Sequence, residues 1–368
     1  MRPTDTGRHH RTNQWDYKGR GIYHITLATE GRQPIFGSLA GDSEHEAHIV
    51  HTSLGKYVYS TFLGLPSFYA TRGIKLQVIV ARVMPDHMHG VIYVREPMPK
   101  SIGEVVRSFK SACTSWFKRE VYLNPSVHEA EHVGFCRIFA TRNSIWQHDI
   151  AGYHERILHY KGQLAHMIQY VKDNPRRLWL KRHNPDMFKM RRGISWKFTD
   201  ENRACHAWPF SAMGNIFLMD YPHKQHIQCS RSMTPAQLEQ QCETWLHNAQ
   251  QGTVSITSAI SDGEKTVARR LLEAGMPLVV MLKDGFPASG SPQERYFKPG
   301  GGYFDACADG RLLLIEPDPT VLDDPLIKEA VYRKSSMASR ESLRYHFLAL
   351  NTIAQTLITA TSGKNAGE

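Results

Sequence analysis

His87-Met88-His89 is where residue type and spacing bear most directly on chemistry in this 368-residue chain. The run His87–Val94 (HMHGVIYV) is rich in β-branched and aromatic residues and reads as a strand, and side chains two apart on a strand leave the same face of a sheet. Two imidazoles so placed suit one metal ion. The spacing alone does not require a site, because alternation also puts such pairs on half-buried strands that bind nothing. A histidine-triad hydrolase would need a third histidine at the next alternate position, where Val91 stands.

The elements that must position this pair follow from periodicity. Gly21–Glu30 alternates Ile22, His24, Thr26 and Ala28 with Tyr23, Ile25 and Leu27, a strand pattern. A helical stretch follows around Glu44–Leu63. Ile74–Val83 is β-rich and reaches His87 through Met84-Pro85-Asp86, so the two runs are expected to form an antiparallel hairpin. Ser101–Phe117 opens with the Ser101-x-x-Glu104 capping pattern and places Ile102, Val105, Val106, Phe109 and Cys113 at helical spacing. Lys161–Asp173 carries Leu164, Met167, Ile168 and Val171 on one stripe, and its helix is expected to stop at Asn174-Pro175, since proline pushes its predecessor out of α geometry. The order suits an α+β fold, an antiparallel sheet with helices on one face.

Composition sets the partners. Hydrophobic residues make up 41% and charged residues 22%, as in folded globular proteins. No apolar run reaches the ~20 residues of a membrane-spanning helix, and the polar start lacks a signal-peptide pattern, so the expectation is a cytoplasmic protein with no membrane partner. The six cysteines show no C-x-x-C or zinc spacing and are expected as free thiols. Residues 1–200 hold 29 Lys+Arg against 17 Asp+Glu, or +12, and 15 of the 20 histidines; residues 201–368 hold 16 against 18, or −2. Such one-sidedness points residues 1–200 toward a polyanion, with a merely basic soluble surface as the alternative.

A resemblance sharpens this reading. Val83-Met84-Pro85-Asp86-His87-Met88-His89-Gly90, then Ser144-Ile145-Trp146-Gln147, then Tyr153-His154-Glu155-Arg156-Ile157, and finally Tyr170-Val171-Lys172-Asp173-Asn174-Pro175 resemble the motifs of REP-associated tyrosine transposases, members of the HUH single-tyrosine superfamily. The likeness spans residues 21–178. It implies a ferredoxin-like sheet, a Mg²⁺ or Mn²⁺ ion on His87 and His89, Tyr170 as nucleophile and Asn174 as third ligand. It further implies nicking and strand transfer on single-stranded hairpin DNA in a bacterial, nucleoid-associated setting. Tyr170 and Asn174, at i and i+4, share one helix face; a capping role for Asn174 and a plain core role for Tyr170 are the alternatives. By the same likeness Trp146, Tyr153, His154 and Arg156 are expected to contact DNA, by base stacking and phosphate binding, against the alternative of a structural tryptophan with a capped loop. The chain departs from the compact family pattern by extra residues around Tyr122–Thr141.

The chemistry explains these residue types. A cation offsets charge on the non-bridging phosphate oxygens, and a tyrosine ester conserves the energy of the broken bond for rejoining. A domesticated DNA-binding protein without turnover is the other reading. A homodimer is one arrangement open to the chain, with Tyr170 acting on its own metal or a partner's.

Outside this region, residues 1–20 read as a flexible basic arm. Residues 179–212 read as a basic linker, either touching DNA or a solvated connection with a few anchored aromatics, continuous with Arg176 and Arg177, which are expected to touch DNA. From residue 213 short apolar strands alternate with helices: Asn215–Met219, Thr253–Ser258, Pro277–Leu282 and Arg311–Ile315 as strands, Thr234–Gln250 and Glu264–Ala274 as helices. This predicts a smaller, Rossmann-like α/β domain over 213–368, and its segment Asn215–Ile315 resembles the Rossmann-like domains of the DNA-processing protein A and LOG-like group. Ser261-x-x-Glu264 is a capping box or a phosphate-binding helix start, and Lys298–Tyr303 a ligand lid or a turn. No ligand or cofactor-binding residue is assigned to this domain.

Overall fold

The computed structural model describes residues 15–123, 144–147, 153–200, 203–230, 232–291, 293–294, 297–335 and 342–362. The chain divides into two compact units, Met1–Leu180 and Lys181–Glu368. Among the described residues no helix is long and apolar enough to cross a membrane.

The first unit is built on a four-stranded antiparallel sheet in the order β4-β5-β1-β6, with β1 at Gly21–Ala28, β4 at Leu76–Val83, β5 at His87–Val94 and β6 at His154–Ile157. The expected hairpin is present: β4 and β5 pair, and Met84 N–H closes the turn on His87 O at 2.7 Å. The region expected as one helix from Glu44 instead begins with strand β3 (His48–His51), paired to β2 (Gly37–Ala40), before helix α1 (Ser53–Leu63). The Thr52 side chain accepts from Gly55 N–H and so fixes where α1 starts. A short helix α2 (Leu65–Ala70) follows, and α3 runs over Ile102–Leu123.

Alternation divides the sheet chemically. Tyr23, Ile25 and Leu27 of β1 and Met88 and Ile92 of β5 join Val58 and Phe62 of α1 and Val105, Val106 and Phe109 of α3 in one core. Ile22 and Val91 leave the opposite face and meet Leu164, Met167, Tyr170 and Val171 of helix α4 (Gln163–His183). Helices therefore pack on both faces of the sheet, not on one as expected, because the histidine-bearing face also carries apolar residues to bury.

Helix α4 does not stop at Asn174. It continues through Pro175 to His183, with Val171, Asn174, Pro175, Arg177 and Leu180 buried along one side. Burial overrides the local preference of the residue before proline. The expected arm is likewise anchored at its end: Trp15 Nε1 donates to Tyr23 Oη at 3.0 Å, Tyr17 packs near Tyr23, and Ile102 N–H donates to Tyr17 O. Residues 1–14 of that arm, and 124–143 with most of the extra segment, lie outside the described residues.

The second unit holds a seven-stranded sheet, β13-β7-β8-β12-β11-β10-β9. Its centre is parallel: β9 (Lys224–Ile227), β10 (Val254–Thr257), β11 (Leu278–Met281) and β12 (Leu312–Pro317), connected through helices that include α5 (Pro235–Gln250), α6 (Asp262–Glu273) and α7 (Gly302–Ala308). β7 (Arg191–Thr199) and β8 (Cys205–Gly214) form an antiparallel hairpin at its side, closed by β13 (Thr361–Ser362). The stretch expected as a linker thus belongs to this sheet: Trp196, Phe198, Trp208 and Phe210 are core residues, which a solvated connection would not bury. Asn215–Met219 is not a strand; Asn215 accepts from Phe217 N–H and starts a 3₁₀ turn over Ile216–Asp220. Of the two readings of Ser261 and Glu264, the capping box is formed, and Glu264 Oε2 also takes the Ile260 N–H at 2.8 Å. Tyr303 N–H donates to Gly300 O at 3.2 Å, so the glycine run contains a turn into α7. Among the described residues Cys113, Cys205, Cys229, Cys242 and Cys307 are free thiols.

Candidate active site

Strand register assembles a polar patch on the sheet face that α4 covers. On β1 and β5, Thr26 lies opposite His89 and Ala28 opposite His87. On β1 and β6, His24 lies opposite Arg156 and Thr26 opposite His154. Directly opposed residues share a face, so His24, Thr26, His87, His89, His154 and Arg156 all emerge on one side. The other side is packed so closely behind the motif that a Cβ on Gly90 would sit 2.2 Å from the Phe62 ring.

His87 and His89 place their rings 4.8 Å apart and nearly perpendicular. Each is held at Nδ1. His87 Nδ1 lies 2.6 Å from Asp86 Oδ1, and Arg32 Nη1 approaches the other carboxylate oxygen at 3.5 Å. Burial works against ionisation of Asp86, but the His87 hydrogen bond and charge and the Arg32 guanidinium hold its carboxyl below the usual range. His89 Nδ1 lies 3.0 Å from Thr26 Oγ1 and 3.2 Å from His24 Nε2. Burial, reinforced by electrostatic repulsion from His154 and Arg156, lowers the His24 pKa to about 3, so this imidazole is neutral at ordinary pH.

Tyr170 descends onto this patch from α4. Its ring centroid is 5.4 Å from that of His89 and 6.3 Å from that of His24, edge-on to both. One turn later Asn174 is 4% exposed and donates through Nδ2 to Tyr170 O at 2.8 Å. That bond lies beside the place where Pro175 removes a backbone donor, and it directs the amide. Two turns from Tyr170, the Arg177 guanidinium lies 5.7 Å from the Tyr170 ring centroid.

The residues expected to touch DNA separate into two groups. His154 and Arg156 are exposed and adjoin the patch. Trp146, at 1% exposure, instead packs on Phe36 and Phe109 and donates Nε1 to Lys110 O, and Tyr153 is part of the same core. A ring so enclosed has no face to offer a base. Arg176 is half-buried and paired with Glu44 at 2.6 Å and Asp173 at 2.7 Å, and Arg177 is buried against α4's own tyrosine, which withdraws Arg177 from surface phosphate contact. His24, Thr26 and Asp86 were not singled out from sequence. The alternation of His24 and Thr26 was visible, but their register against His89 was not.

Mg²⁺ and Mn²⁺ accept imidazole nitrogen and carbonyl oxygen together. Among the described residues there is no group of three or more His, Cys, Asp or Glu side chains suited to a metal ion. A divalent ion here would therefore depend on two imidazoles and a non-acidic donor. Asp86 bonded to His87 Nδ1 is the carboxylate–histidine arrangement that readies Nε2 for ligation. The two imidazoles fit an ion on these terms, and Asn174 lies one turn from Tyr170 on the facing helix.

No family model matches the chain. An uncharacterized protein of Haemophilus influenzae is 23% identical over 195 residues, covering 46% of this chain and 91% of its own length. Among solved structures, a REP-associated tyrosine transposase bound to a REP hairpin is 14% identical; 45% of this chain and 72% of that chain are covered, with a TM-score of 0.26. A Deinococcus radiodurans protein provisionally named a transposase is 15% identical, with 45% and 96% covered and a TM-score of 0.24.

Proposed function

We propose that the first unit nicks and rejoins single-stranded hairpin DNA, with Tyr170 as the nucleophile and His87, His89 and Asn174 as the ligands of a Mg²⁺ or Mn²⁺ ion. The observation that carries this reading is the convergence of Tyr170, from α4, on the imidazole of His89, from β5. A bound ion would supply positive charge to the non-bridging oxygens of the scissile phosphate. Tyr170 Oη attacks phosphorus and the bond to the 3′ oxygen breaks; the phenolic proton ends on that oxygen, leaving a 5′-phosphotyrosine and a 3′-hydroxyl. Attack by a 3′-hydroxyl on the ester reverses the step and transfers the strand. His154 and Arg156, exposed at the edge of the patch, suit contacts to flanking phosphates, and the +12 charge of residues 1–200 suits a polyanion.

The lean ligand set favours one other reading, a hairpin-binding protein without turnover. Incubation with a library of single-stranded hairpins and Mn²⁺, followed by denaturation, separates the two. A covalent adduct mapped to Tyr170 is expected. Retention of hairpin with no denaturation-resistant adduct in either metal would leave the binding protein.

A further inference from the structure

Each histidine of the pair is held at Nδ1, but by partners of different kind. His87 faces a carboxylate, which only accepts once ionised, and this fixes its proton on Nδ1. His89 faces a hydroxyl and a second imidazole, each of which can donate or accept. Both come from β1 and sit where the register puts them, Thr26 directly opposite His89 and His24 two residues along on the same face. The His24 ring also stacks against His89 at 5.2 Å and 23°. Strand β1 thus builds a cradle around one nitrogen of one histidine.

We propose that His24 and Thr26 are positioning residues that accept the Nδ1 proton of His89 and so reserve its Nε2 lone pair for a cation. This rests on the proposed role of His89 as a ligand. The opposite arrangement, with either partner donating into Nδ1, puts the proton on Nε2, and a protonated nitrogen cannot ligate. Thr26 Oγ1 accepts with its own hydrogen turned away; His24 Nε2 accepts when its own proton is on Nδ1. Two acceptors around one N–H also pin the ring plane, which the perpendicular arrangement with His87 requires.

The test is long-range ¹H–¹⁵N correlation of the imidazoles in the metal-free full chain near pH 8, alongside Mn²⁺ titration by calorimetry. His89 is expected as the Nδ1–H tautomer. The double variant Thr26→Val/His24→Phe keeps approximate shape while removing both acceptors; it is expected to redistribute the His89 tautomer and weaken Mn²⁺ binding by about 10–100-fold. Thr26→Ser, which keeps the hydroxyl, should retain the wild-type tautomer, and thermal unfolding establishes that each variant is folded. A wild-type His89 carrying its proton on Nε2 would overturn the proposal, as would a folded double variant with unchanged imidazole shifts and Mn²⁺ affinity. If the wild type shows the Nδ1–H tautomer but binds no Mn²⁺, the cradle stands as the holder of His89 and the metal-dependent reading of the site fails.

Discussion

The Tyr170 ring meets the His89 imidazole nearly edge-on, with centroids 5.4 Å apart and planes at 70°. Phenylalanine keeps the ring that makes this contact and removes only the oxygen that would attack. Tyr170→Phe is therefore expected to abolish the covalent adduct while changing hairpin affinity by less than about twofold, well under the ~1.4 kcal/mol of a tenfold change. Denaturing gels and a binding titration check the two halves. An adduct formed at the wild-type rate would move the nucleophile elsewhere, with Tyr160, exposed just before α4, the first to examine.

His87→Ala and His89→Ala are each expected to lose cleavage and to weaken Mn²⁺ binding while hairpin binding persists, because the proposed phosphate contacts of exposed Arg156 do not involve the pair. Calorimetry and a cleavage assay are run on the same samples. Wild-type cleavage by both variants in Mg²⁺ would make these ordinary strand residues.

Asn174 carries a structural duty as well as its proposed ligand role. Its Nδ2 donor serves Tyr170 O inside a buried part of α4. Asn174→Asp exchanges that donor for an acceptor, so a carboxylate would face a carbonyl. The substitution is expected to cost about 1–3 kcal/mol of stability even if it strengthens a cation site. Urea unfolding with and without Mn²⁺ resolves the two effects: lower stability in chelator, partly recovered with the ion. Unchanged stability in chelator would contradict the hydrogen bond's importance.

Trp146 and Arg156 show what was legible beforehand. The strands bearing His87, His89 and His24 follow from alternation, a local property, and the helix bearing Tyr170 from its apolar stripe. Which residues face one another across strands is not local, so Thr26 and His24 emerged as neighbours of His89 only with the register. The same limit misplaced Trp146: an aromatic beside basic residues reads as a stacking platform, yet hydrogen bonds from Glu30 N–H to Ile145 O and from Gln147 N–H to Ala28 O tie its segment to the end of β1 and turn the ring inward. Likewise the basic residues of 179–212 hid a hairpin whose alternate residues are core, which places the division of the chain at Leu180 and Lys181. Trp146→Ala is accordingly expected to cost about 3–5 kcal/mol of stability by leaving a cavity. Arg156→Ala should leave stability nearly unchanged and lower the slope of log affinity against log salt by about one. Unfolding curves and salt-dependent binding measure both, and a Trp146 variant with full stability but lost hairpin binding would restore the stacking role.

The buried His24 gives acid sensitivity a defined direction. Its folded-state pKa is lowered from 6.5 to about 3, first by burial and then by His154 and Arg156. Between these values the unfolded chain binds a proton that the folded chain refuses, so stability rises with pH across the window. The contribution is complete above about pH 6.5 and is lost as the pH falls toward 3, at up to about 1.4 kcal/mol per pH unit. Carboxylates lose stability in overlapping ranges, so the measurement is the difference between wild type and His24→Phe, in chelator, from pH 7.5 to 4.5. The variant is expected to lose less stability than the wild type across this range, so the wild-type urea midpoint falls further than the variant's as the pH drops. Parallel curves would show that His24 either gains its proton in the folded protein or is not enclosed as the β1 register places it, and its neutrality beside His89 would fall with that result.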